Sequence, residues 1–164
     1  MKKLILLSLM LTGSSLAHAA EFQPLMGGLT VCNAEDPSPK TALTLKADGN
    51  TVTARILGCI SSEHRFAPID SDMTYRYALP AGEAGLTAVE QSFRDFELVV
   101  VTEEYKVLSV TPGRVEGSQV IFNVGGDTLK AGAIAFLRMH HTTRATTLGL
   151  LLEDASASTG FRIR

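Results

Sequence analysis

The chain has 164 residues, of which 45% are hydrophobic and 20% are charged, with 15 Lys plus Arg against 17 Asp plus Glu. A formal net charge of −2, without any basic run, provides no electrostatic attraction for nucleic acid or for an anionic membrane surface. We therefore expect neither of these as a partner.

The first residues are typical of a secretory signal peptide. Two lysines precede an apolar stretch over residues 4–11, and Ala17 and Ala19 supply small side chains at the cleavage positions. We predict a signal peptide over residues 1–19 and a single mature β-rich domain over residues 20–164. The apolar stretch is shorter than the about 20 residues that cross a bilayer, and we find no second candidate span. The sequence therefore predicts an exported protein, periplasmic or secreted, that is not membrane-spanning.

The mature chain retains two cysteines, Cys32 and Cys59. Export would place them where disulfides persist, so we predict a structural bridge between them. Closing a loop of about 27 residues stabilises a fold by roughly 3 to 4 kcal/mol in the chain-entropy model. A redox pair or a metal site is disfavoured, because there is no C-x-x-C spacing and no nearby His or Cys to complete a site.

Short apolar runs predict a series of antiparallel strands. Asp48 and Gly49 lie between two alternating runs, which predicts a hairpin over residues 43–56. The run at residues 132–139 is apolar on both faces, as expected for a strand in the middle of a covered sheet or at a barrel-like closure. The second half of the chain carries five such runs, bounded by Gly, Pro, Asp or paired charged residues, at residues 98–102, 105–110, 119–124, 132–139 and 147–152.

One segment has a different period. Leu86, Val89, Phe93 and Phe96 are spaced by three, four and three residues, which predicts one apolar stripe of a helix near residues 86–93. Together these patterns predict an all-β fold, either an antiparallel β-sandwich or a partly open β-barrel. We expect about eight to nine short strands and that one short helix.

Four residues are candidate binding residues: His64, Arg65, Arg138 and His140. The first two lie in a polar, irregular segment. His140 and His141 are adjacent, so on a strand they point to opposite faces and cannot ligate one ion together. At a strand end, His140 shares a face with Arg138 and could line a polar mouth. Solvated loop charges and a plain strand end explain the same residues.

No catalytic motif, metal site or cofactor site is predicted. No serine lies in a G-x-S-x-G elbow, and no glycine pair has the spacing of a phosphate-binding loop. A non-enzymatic exported domain that binds an unknown protein, peptide or envelope component is therefore the leading hypothesis.

Two alternatives stay open. The first is a carrier of a small ligand or metal in the interior or mouth of a barrel, with a cavity lined by Ala133, Ala135 and Leu137. The second is a small hydrolase, which requires His64, His140 or His141 within hydrogen-bond reach of a nucleophile beside a cleft.

Overall fold

The computed structural model describes residues 19–26, 32, 40–60, 65–145, 149–158 and 160–164. The predicted signal peptide, apart from Ala19, lies outside these residues. A single 3-10 turn, Gly82–Ala84, occurs in the described part. Its strands are β1 (Phe22–Pro24), β2 (Thr41–Asp48), β3 (Thr51–Ile60), β4 (Arg65–Pro68), β5 (Thr74–Pro80), β6 (Leu86–Val101), β7 (Val107–Pro112), β8 (Arg114–Glu116), β9 (Gln119–Asn123), β10 (Ile134–Ala145), β11 (Leu150–Ala157) and β12 (Phe161–Ile163).

The strands form two antiparallel sheets. In the first sheet, β6 and β10 lie at the centre; β5 and β7 share the far edge of β6, while β11 and β12 share the far edge of β10, and β1 pairs with β12. In the second sheet the order is β2, β3, β9, β8, and β4 pairs with β3 beside β9. One of the sheets curls into a half-barrel, so the predicted all-β class, sandwich or partly open barrel, is confirmed.

The hydrophobic core lies between the two sheets. The first sheet contributes alternate residues of its central strands, which are fully buried at Leu98, Val100, Ala135 and Leu137. The second sheet faces them mainly with residues of β3 and β9, namely Val52, Ala54, Ile56, Val120 and Phe122. Alternation with period two thus places one apolar face of each sheet inside.

The apolar run at residues 132–139 was predicted to lie in mid-sheet, and this is confirmed. β10 pairs with β6 on one side and with β11 and β12 on the other. Its inner face contacts the core, while Ile134 on its outer face is buried with Val99 and Val101 in a second, smaller cluster. A strand covered on both faces has no need of polar alternation.

The helix predicted near residues 86–93 is wrong, because these residues form the first half of β6. The register between β6 and β10 shifts at this point, and Asp95, with a φ of 54°, and Phe96 together face Met139. Two residues against one is a β-bulge, which reverses the alternation of the strand beyond it. Phe93 and Phe96, three residues apart, are therefore both buried in the core.

The rest of the apparent helical spacing follows from the same strand. Val89 and Phe93 are four apart, an even number, so both point inward and are buried. Leu86 is 69% exposed, so it belongs to no buried stripe. A bulged strand thus reproduces the three-four spacing that usually indicates a helix.

One hairpin prediction and one strand prediction can be compared with the structure. The hairpin over residues 43–56 is confirmed, with Gly49 and Asn50 as its two-residue loop between the paired residues Asp48 and Thr51. The strand predicted at residues 147–152 is displaced: β11 begins at Leu150 and continues through the Ser- and Ala-rich piece to Ala157. Pairing with the long β10 overrides the low strand propensity of that piece.

The predicted disulfide between Cys32 and Cys59 is confirmed, with the two Cα atoms 5.6 Å apart. The hydroxyl of Tyr75, on β5, donates a hydrogen bond to the carbonyl oxygen of Cys59 at 2.9 Å. Burial raises the pKa of that hydroxyl. The Tyr75 ring also lies directly against Gly58. The hydrogen bond and the ring contact therefore join the two sheets beside the disulfide.

Two findings bear on where the protein resides. A disulfide is typical of oxidising compartments, which agrees with export. The described residues include no helix that is long and apolar enough to cross a membrane. The signal peptide itself and the choice between periplasm and secretion stay predictions.

The contact between Gly58 and Tyr75 leads to a stability prediction. In a Gly58→Ala variant the new Cβ would overlap the Tyr75 ring, so the ring or the strand must shift. We expect the free energy of unfolding, measured by urea titration, to fall by roughly 1 to 3 kcal/mol. Gly126→Ala is the matched control, because a Cβ there meets only Asn50 at 3.8 Å. Equal stability of the two variants would contradict this packing.

Candidate binding groove

A long groove opens on one side of the sandwich, where the two sheets do not pair with each other. It lies between β2, the edge strand of the second sheet, and β1, β11 and β12 of the first sheet. Its volume is about 890 Å³, which is within the usual range of ligand sites. The groove therefore lies along the open side of the sandwich.

The lining of the groove is mostly apolar, with a few polar groups. Strands far apart in the sequence supply it, so no local motif encodes it. The apolar side chains are Phe22, Pro24, Met26, Ala42, Leu43, Leu45, Ile56, Phe93, Met139, Ala157 and Phe161, and the polar ones are Thr41, Thr44, Gln91, His141, Ser156 and Ser158.

His141 is the polar residue of the groove with an unmet hydrogen-bonding capacity. Its Nδ1 atom is buried and has no hydrogen-bond partner. The ring packs beside Phe93, with ring centroids 6.3 Å apart and planes at 43°. A buried unpaired polar atom costs about 1 to 3 kcal/mol, which a ligand that hydrogen-bonds to it would recover.

The edge of β11 that borders the groove offers backbone groups. The N–H of Ser158 donates to the carbonyl oxygen of Leu137 at 2.8 Å, and hydrogen-bonded pairs recur every second residue in an antiparallel ladder. The even-numbered residues of β11 therefore bond to β10, and the odd-numbered ones direct N–H and C=O away from it. In the described part of the chain, β11 pairs with β10 alone.

The same strand exposes three consecutive large apolar side chains. Leu150, Leu151 and Leu152 are 41%, 57% and 53% exposed. Leu150 and Leu152 share the groove-side face of the sheet with Ala145 and Thr143, their partners on β10. An exposed apolar edge strand is a template for pairing with another chain.

A second, more polar cleft of about 620 Å³ lies at the bulge of β6. Asp72 is one of its carboxylates, and the guanidinium of Arg76 donates a hydrogen bond to it at 2.7 Å. This hydrogen bond lowers the pKa of the Asp72 carboxyl. The other lining residues are Ser71, Met73, Phe93, Arg94, Asp95, Phe96, Glu97, Pro112, Gly113, Val115 and His140.

The predicted binding residues are not gathered into one site. Arg138 and His140 lie on the outer face of β10, where Arg138 forms an ion pair with Glu97 at 2.5 Å and His140 lines the second cleft. Arg65 lies on β4, in the other sheet. His64 is outside the described residues. Whether any of these residues binds a ligand stays a prediction.

The structure also bears on the two alternatives. The cavity expected beside Ala133, Ala135 and Leu137 is wrong, because these side chains are at most 6% exposed and belong to the packed core. Across the described residues, no group of three or more His, Cys, Asp or Glu side chains is placed to hold a metal ion. Within the same residues, no hydrogen bond joins His140 or His141 to a hydroxyl nucleophile.

Sequence reasoning missed the groove and the leucine edge. Three consecutive leucines beside a charged pair could have indicated the leucine edge, since a run of exposed apolar residues usually serves binding. No comparable sequence pattern indicated the groove. His141 is adjacent to His140 in the sequence. The residues that line the groove together with His141 include members of β1, β2, β6 and β12.

The second cleft leads to a titration prediction. In Arg76→Gln the Asp72 carboxyl loses its guanidinium partner, so its pKa should rise toward the ordinary value of about 3.9. Carboxyl chemical shifts in an NMR pH titration would measure this change. Because the folded-state pKa is depressed, the stabilising contribution is present above the ordinary pKa and is lost as the pH falls through the depressed one.

Arg94→Gln is the control for that titration. Arg94 lines the same cleft but forms its ion pairs with Asp95 and Glu153. The Asp72 titration should therefore remain as in the unmodified protein. A larger effect from Arg94→Gln than from Arg76→Gln would show that the assignment of the partner is wrong.

Comparison with known proteins assigns no family to this chain. No protein-family model, no curated protein and no solved structure matches it. Its function therefore has to be inferred from the groove, its edges and their chemistry.

Proposed function

We propose that this protein is an exported binding module that accepts an extended segment of another polypeptide as an added strand in the groove. The observation that supports this most strongly is the combination of an apolar groove with a strand edge beside it that pairs with no other strand among the described residues. Strand addition uses both features, since backbone hydrogen bonds supply affinity and alternate side chains enter the groove.

The dimensions of the edge suit such a segment. β11 has eight residues and is therefore about 26 Å long at about 3.3 Å per residue. Its odd-numbered residues direct backbone donors and acceptors away from β10. An incoming strand would direct every second side chain to the face of the sheet on which Met139 and His141 line the groove.

The exposed leucines favour a polypeptide over a small molecule. Small-molecule sites bury most of the ligand in a concave pocket, whereas this groove is open along one side. The leucine run continues along the same strand beyond the groove lining. A compact ligand in the groove would leave that run uncovered, while an extended segment would cover it.

The carrier of a small apolar ligand is the second candidate function. The groove volume of about 890 Å³ and the unpartnered Nδ1 atom of His141 favour it. This candidate differs from strand addition in one measurable respect, because a small ligand forms no hydrogen bonds with the edge of β11.

Hydrogen exchange measured by NMR tests strand addition directly. With an excess of a synthetic peptide of alternating valine and threonine, the amides of Leu151 and Glu153 should exchange on the order of tenfold more slowly, because they become hydrogen-bonded. The amides of the edge strand β7 serve as the internal control and should not change. Decanoic acid is the comparison ligand. If it binds and the peptide does not, the carrier function replaces strand addition.

A side chain that partly fills the groove should weaken peptide binding. Ser156 is half-buried and lines the groove, so Ser156→Trp should weaken binding of the same peptide on the order of tenfold in a fluorescence titration. Ser118→Trp is the matched control, because Ser118 is also half-buried but lies in the turn after β8, outside the groove lining. Equal binding by both variants would place the peptide elsewhere.

A further inference from the structure

We infer that the bound segment has two basic residues followed by apolar residues and runs antiparallel to β11. This inference rests on the proposed strand addition and specifies the partner of that same groove. It follows from the order of side chains along the edge, where three leucines precede Glu153 and Asp154.

The hydrogen-bond pattern determines which side chains meet most closely. Leu152 and Asp154 bond to β10, so each would form a non-hydrogen-bonded pair with the added strand, in which Cα atoms are about 4.5 Å apart. Asp154 is opposite His141 on β10 and therefore shares the groove-side face with it. A lysine or arginine opposite Asp154 would therefore lie beside that carboxylate, on the side of β11 away from His141.

Asp154 also caps the edge in the free protein. Its Oδ1 accepts a hydrogen bond of 2.7 Å from the N–H of Ala155, which is one of the groups directed away from β10. An added strand needs that N–H for its own carbonyl oxygen, so the carboxylate must be displaced. A basic side chain on the incoming strand gives the displaced carboxylate a new partner, whereas a neutral strand leaves it without one.

Glu153 lies on the outer face of the sheet and would attract the other basic residue of the segment. An existing ion pair reduces that attraction. The Glu153 carboxylate lies 3.6 Å from the guanidinium of Arg94, so its charge is partly neutralised. Its side chain is nevertheless 63% exposed and retains room for a second cation. Opposite residues 150–152 the added strand meets leucines, so its own residues there are apolar.

The chain direction follows from the sheet. Every strand pair in the described part is antiparallel, and antiparallel pairing is the more stable arrangement per residue. Running antiparallel to β11, the segment meets Asp154 first, then Glu153, and then the leucines. Its basic residues therefore precede its apolar ones.

Three capped synthetic peptides test this order. The first has two lysines followed by three valines, the second has the valines first, and the third has glutamines in place of the lysines. We expect the lysine-first peptide to bind on the order of fivefold more tightly than either of the others, in titrations at low salt. The lysine-last peptide has the same composition and charge, so it isolates the effect of order.

Two variants locate the source of that preference. In Glu153→Gln/Asp154→Asn the preference for lysine over glutamine should disappear, while the glutamine peptide still binds. Glu103→Gln/Glu104→Gln removes an equal charge from the turn between β6 and β7 and should leave the preference intact. A preference that persists in the first variant, or is lost in the second, overturns the inference.

The peptide results also separate this inference from the proposed function. Equal binding of all three peptides in the groove overturns the inference and leaves strand addition in place. Equal binding of the lysine-first and lysine-last peptides, both tighter than the glutamine peptide, overturns the predicted direction. If none of the three slows exchange at Leu151 and Glu153, strand addition itself fails.

Discussion

The pairing of β6 with β10 is the constraint on which the rest of the structure depends. These are the two longest strands of the described part, and each of the other strands in the first sheet is attached to them directly or through one neighbour. Their inner faces form half of the core. Among the described residues, the first sheet has seven strands and the second has five, and the sandwich remains open along β2. The groove is thus a consequence of unequal sheets.

The bulge at Asp95 allows the inner face of β6 to stay buried on both sides of it. A strand of 16 residues that twists and curls cannot present one regular face to the same core throughout. One extra residue in β6 resets the alternation, so that Val89 and Phe93 on one side of it and Phe96 and Leu98 on the other are all buried. Bulges are common beside binding sites, and this one borders the second cleft.

The sequence predicted those features that depend on local pattern. Alternation and turn residues were enough for the all-β class, for the hairpin around Gly49 and for the central position of the run at residues 132–139. The chain has two cysteines, so only one disulfide pairing was possible. The helix near residues 86–93 was wrong because a bulge is a tertiary feature with no signature of its own, and its effect on spacing imitates a helix. The groove escaped prediction because its walls come together only after both sheets have formed.

The capped edge of β11 has a consequence for how this protein behaves among many copies of itself. An uncovered row of backbone groups beside three leucines would favour edge-to-edge pairing of two copies. The hydrogen bond from Ala155 to Asp154 interrupts that row, and two identical edges brought together would also have to accommodate four carboxylates between them. One acidic side chain therefore discourages self-association through this edge.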